Sequence, residues 1–151
     1  MVSEIDRIAR MLEKTFDRQP WYGSSIMEIL QQVSPSARDA RTGNAHTIIE
    51  LVLHMTSWRK FVIHRLQGDD AFQITEDLNF PKPGAWDDAV ADLKAIQAEL
   101  IAAIKSFPEN RLGELVPSST YKFTFYTLLH GIIQHDVYHL GQIAYISSSL
   151  K

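Results

Sequence analysis

Two histidines four residues apart, His135 and His139 in the segment HDVYHLGQI, have the type and spacing for metal chemistry. On a helix that spacing stacks the imidazoles one turn apart, where a nitrogen of each can converge on a single ion. The same spacing also fits two core histidines hydrogen-bonded to backbone or water, so the pair alone leaves both readings open. The chain has no cysteine. A metal site must therefore be built from His, Asp and Glu, and a thiol nucleophile would have to arrive in a small cosubstrate. A third ligand should come from another helix. His54 falls roughly 70° from the centre of the apolar face formed by Ile48, Leu51, Met55, Trp58 and Val62, at the border of the core. His46 and His64 fall roughly 150° from that centre, on the solvent side, and His130 lies roughly 180° from His139, outside its ligand set. Glu50, one turn before His54, has three readings: it orients that ring, it acts as a fourth ligand or a base, or it is a solvated helix charge. Gln142 follows His139 by three residues. Trp58 and Tyr138 read as packing residues.

These side chains need helices to carry them, and the hydrophobic periodicity predicts four. The first runs through SEIDRIARMLEKTF, where Ile5, Ile8, Leu12 and Phe16 recur at helical spacing behind Ser3 as N-cap. Pro20 and Gly23 end it, a short piece SSIMEILQQV follows, and SPSARDARTGN is a polar loop. The helix bearing His54 is expected from about Ala45 to Leu66, stopped by Gly68. FPKPGAW is a loop, and Val90, Leu93, Leu100, Ile101 and Ile104 stripe a third helix that ends before Pro108. VPSSTYKF alternates like a strand but is too short to found a sheet. Thr124 is placed to cap a last helix reaching about Ser148. On it, Leu128, Ile132, Ile143 and Ile146 share a stripe with His135 and His139, while Leu129, Ile133, Val137, Leu140 and Ala144 make the other flank apolar as well. Such a helix is central or lies in a homodimer interface, and a homodimer is the expected assembly. The whole reads as one all-α domain over residues 1–151, a four-helix bundle.

Composition narrows the function. The net charge is -3 and the 15 Lys and Arg are scattered, which offers no basic field to a nucleic acid. No apolar run reaches the roughly 18–20 residues of a membrane span, and the amino terminus MVSEIDRIAR carries acids where a signal peptide needs bases. A soluble, cytoplasmic protein is the expectation.

ELVLHMTSWR at 50–59, followed about 80 residues later by HDVYHLGQI, resembles the DinB/YfiT-like superfamily, with its histidine on the second helix and its terminal HxxxHxGQ signature. WYGSSIMEIL is similar to the aromatic and small-residue turn after that family's first helix. The resemblance covers almost the whole chain. It implies a four-helix bundle with the first two and last two helices arranged pairwise, and a divalent metal, Zn or Ni, held by His54, His135 and His139. Characterised members include S-transferases using bacillithiol or mycothiol, a mycothiol-dependent maleylpyruvate isomerase, and proteins described as metal-dependent hydrolases. Three readings of function follow. The first is a metal-dependent transferase of a low-molecular-weight thiol to an electrophile. The second is a hydrolase using bound water, with Glu50 as base, and the third a noncatalytic bundle stapled by the metal.

Overall fold

The computed structural model describes all residues 1–151. Four long helices carry the fold: α1 (Glu4–Asp17), α3 (Ile48–Leu66), α5 (Trp86–Lys105) and α6 (Phe125–Ser149). Two shorter ones, α2 (Ile26–Gln32) and α4 (Glu76–Asn79), lie in the connections. Local chemistry fixes the helix starts. The side chains of Ser3, Ser25, Thr47, Thr75 and Thr124 each accept a hydrogen bond from a backbone N–H of the first turn. At α3 the cap is a full capping box, because the Glu50 side chain also accepts from the Thr47 N–H. This start at Ile48 puts His46 before the helix rather than on it. α3 ends at Gly68, whose φ of 84° is a left-handed conformation that glycine adopts without strain and whose N–H reaches the Arg65 carbonyl. The alternating VPSSTYKF segment forms no strand. A single antiparallel bridge joins Leu115 and Thr124.

Around the bundle the order is α1, α5, α3, α6, since α5 and α6 each pack against both α1 and α3. The pairs expected from the resemblance, first with second and third with fourth, thus lie across diagonals rather than side by side. The second flank of α6 turns inward. Leu129, Ile133 and Leu140 are buried and Val137 is 40% exposed, so a central position accounts for these residues within one chain.

Apolar side chains gather in two clusters. One unites the C-terminal halves of α3 and α5 with the start of α6, around Phe61, Leu100 and Leu129. The other unites α2, the first half of α3 and the end of α6, around Ile26, Met55 and Ile143. Each such side chain contributes about 1.5–3 kcal/mol by leaving water. Along α3 and α6 the clusters are separated by a level of buried polar groups: His54 and Arg59 on the first helix, Asp136 and His139 on the second.

Candidate metal centre

α3 brings His54, and α6 brings His135 and His139, to one point in that polar level. Their Nε2 atoms converge: His54 and His135 are 3.0 Å apart, and His135 and His139 3.1 Å. All three nitrogens lie within 4.8 Å of one another. Tetrahedral ligation at about 2.0–2.1 Å separates ligand nitrogens by roughly 3.3 Å, close to these distances.

The outer nitrogens determine what the inner ones present. His54 Nδ1 donates to the backbone carbonyl of Asn79 at 2.7 Å. A carbonyl only accepts, so the Nδ1 carries the proton and the Nε2 of the neutral ring is a bare lone pair. His139 Nδ1 donates to Gln142 Oε1 at 2.6 Å, which leaves its Nε2 bare in the same way. His135 Nε2 sits between these two lone pairs with at most one proton to offer, and its Nδ1 is buried without a partner. One cation at the centre would satisfy all three Nε2 atoms, and the donor set is that of a borderline metal.

Electrostatics holds the rings in the neutral form that ligation requires. Burial lowers the pKa of all three. His135 is pushed down to about 3, by burial first, then by His139, His54 and Arg59.

The other expected residues are placed as follows. His64 bonds Asp69 at 2.8 Å and stacks on Phe72, and His130 stands 3.9 Å from Glu4, so neither joins the triad. His46 is exposed, as expected. Its ring nevertheless stacks on Phe80 at 3.6 Å, and Phe80 stacks on His54 at 4.3 Å, so the helix-angle count missed its closeness to the site because that count assumed a helix at His46. Glu50 does not orient His54. Its carboxylate accepts from Arg41 at 2.6 Å and the Thr47 N–H at 2.9 Å, and faces His46 Nδ1 at 3.3 Å. Burial raises its pKa and these bonds more than reverse the effect. The place expected for Glu50 belongs to Asn79, the last residue of α4, whose side-chain oxygen also accepts from Trp58 Nε1 at 2.9 Å. Tyr138 is 66% exposed and lies edge-on to His139, so it does not pack in the core.

Sequence reasoning missed one constellation outright. Arg59 and Asp136, both fully buried, pair through two parallel bonds of 2.8 and 2.6 Å, while Arg59 Nε donates to Gln97 at 2.9 Å. The bonds tie α3, α5 and α6 together beside the triad. A signal was present. With His135 at zero, Asp136 bears roughly 100°, between Ile143 and Leu140 in the apolar stripe, and an acid there needs a buried cation.

Two cavities flank the triad. One of 320 Å³ reaches His135 and is walled by Trp58, Phe61, Tyr121 and Phe123. The other, of 420 Å³, reaches His139 and includes His46, Phe80 and Gln142. No helix is long and apolar enough to cross a membrane.

No curated protein and no solved structure matches the chain. A sequence model described as the DinB superfamily matches residues 8–143. That span includes α3, α4, α5 and the three convergent histidines. By this match over most of its length, and by its all-helical bundle, the chain belongs to the DinB superfamily.

Proposed function

We propose that the protein is a metal-dependent enzyme in which His54, His135 and His139 hold one Zn or Ni ion, and that it transfers a low-molecular-weight thiol to a small electrophile. The observation that carries this reading is the pair of bare Nε2 lone pairs, fixed by Asn79 and Gln142, that face a third imidazole across 3.0 and 3.1 Å. A divalent ion on three protein ligands keeps an open position and acidifies a thiol or water bound there.

The chain's own residues favour thiol over water. Hydrolysis by bound water would use a group that takes the proton of the attacking water and passes it to the leaving group, and Glu50, the acid considered for that part, is tied to Arg41 and the helix cap. Asp136 is closed in its pair with Arg59. A thiol would give up its single S–H proton on binding the metal and attack as the thiolate, and the chain, with no cysteine, leaves that thiol to a cosubstrate. Asn79 and Gln142 hold the ring tautomers, and Phe80 and Trp58 keep water from the His54 side.

The test is metal analysis of the purified protein, followed by a conjugation screen of small thiols against electrophiles with and without chelator. The expected result is about one ion per chain and a thiol-dependent reaction that stops on chelation. Chelator-sensitive ester hydrolysis without thiol would move the reading to a hydrolase. Metal that raises the melting temperature with no turnover would leave a noncatalytic staple.

A further inference from the structure

Of the two cavities that flank the triad, the one beside His135 is the more apolar. Its volume is 320 Å³, it is open on one side, and none of its ten lining residues is charged. Its aromatic wall is fixed in place: the Trp58 indole is held by its N–H bond to Asn79 at 2.9 Å and packs edge-on against Phe61 at 5.1 Å. The opposite wall is α6, and there the chain places Gly131. A glycine inside a helix costs about 1 kcal/mol relative to alanine. No close packing demands it, because a Cβ at Gly131 would meet nothing within 4 Å. What the missing side chain provides is space, between the aromatic wall and the His135 ring.

We infer that this cavity binds an uncharged aromatic group of the substrate, up to roughly two fused rings, since an apolar cavity of about 150 Å³ holds one benzene. The assignment deepens the proposed function and rests on the reading of the triad as a reaction centre. A carboxylate or ammonium group would lose water there and meet no opposite charge among the lining residues, so the cavity favours an uncharged group. Gly131 is a specificity-determining residue, and Trp58 links the cavity to the triad through its contacts with His54 and His135 at 6.3 and 6.0 Å.

The experiment titrates isotope-labelled protein with 2-naphthol and with 2-naphthoate, following the Trp58 indole and Gly131 amide resonances, in chelated and zinc-loaded forms. In the chelated protein 2-naphthol should shift both resonances, and 2-naphthoate should bind at least roughly tenfold more weakly. Gly131→Leu, which fills the cavity and favours the helix, should weaken 2-naphthol roughly tenfold or more while zinc uptake persists, with Gly131→Ala intermediate. Equal affinity for the two probes, unchanged binding by Gly131→Leu, or shifts clustered elsewhere would overturn the inference. The two claims separate cleanly: 2-naphthol bound by a protein that takes up no metal sinks the metalloenzyme and keeps the cavity, and zinc uptake without 2-naphthol binding does the reverse.

Discussion

The Arg59–Asp136 cluster and the histidine triad lie on the same two helices, in the same polar level, and answer burial in opposite ways. In the first, the guanidinium meets a carboxylate through two bonds and Gln97 through a third, and both charged groups are wholly buried. Complete burial raises the Asp136 pKa and Arg59 offsets part of that rise, so much of the compensation comes from within the pair. In the second, the outer nitrogens of His54 and His139 are bonded while the inner ones face one another and His135 Nδ1 has no partner. A buried polar group without compensation is unfavourable. The charges of the first cluster are thus matched within the chain, with Gln97 Nε2 alone left unpartnered beside them, whereas the second leaves inward lone pairs that a metal ion would complete.

The largest effect is expected from His135→Ala. Tight metal binding should be abolished, and the metal-induced rise in melting temperature with it, while the chelated protein stays folded, since His135 Nδ1 has no bond to lose and its Nε2 shares at most one proton with His54 or His139. Calorimetry with and without zinc checks this, and a chelated variant that unfolds would show that the triad is structural. Arg59→Leu should do the opposite. It strands Asp136 and costs about 3–5 kcal/mol of stability by urea denaturation, and the double replacement Arg59→Met with Asp136→Leu should recover most of it. If the single change were neutral, the cluster would not be the closed unit described.

Acidity separates the two regions as well. The His135 pKa is lowered from 6.5 to about 3, and His54 and His139 are lowered too, in each case by burial first. Above pH 6.5 folded and unfolded chains both hold His135 neutral, so this group adds no pH dependence. Between 6.5 and about 3 the unfolded chain takes up a proton that the folded chain excludes, and stability of the chelated protein falls as pH falls. Denaturation midpoints across that range should slope less in His135→Ala, and identical slopes would contradict the burial of this ring.

Gln142→Ala should lower metal affinity roughly ten- to a hundredfold with little change in stability, as removal of a group that orients a ligand does. Glu50→Ala gives the smallest change. Because Glu50 closes the capping box of α3, it should cost about 1 kcal/mol of stability and leave chelator-competition affinity unaltered. A drop in affinity for Glu50→Ala rather than Gln142→Ala would restore the first expectation for Glu50.

The long helices and the bearings of the three histidines were legible because both follow from periodicity. Ser3, Gly68 and Thr124 mark boundaries within a residue or so, and the stripe of α6 carries both histidines inward. What stayed hidden depends on long-range placement. Asn79 comes from a four-residue helix in a connection whose sequence has no repeating pattern, and no spacing rule tells that its carbonyl meets His54, 25 residues away. His46 reaches the site through Phe80, again a contact made by a loop. Glu50 and Arg59 are different. Thr47 and Glu50 spell a capping box, and Arg59 and Asp136 each interrupt an apolar face, so these roles were written locally and went unread.

At the heart of this reading, three inward imidazole nitrogens, two of them held bare by the bonds their rings make to Asn79 and Gln142, take up one cation. X-ray absorption at the metal edge of zinc-reconstituted protein tests it directly. The expected spectrum shows three histidine nitrogens at about 2.0–2.1 Å, reduced to fewer or lost in His135→Ala. A zinc ion ringed by oxygen neighbours alone, or a spectrum unchanged in His135→Ala, would contradict it.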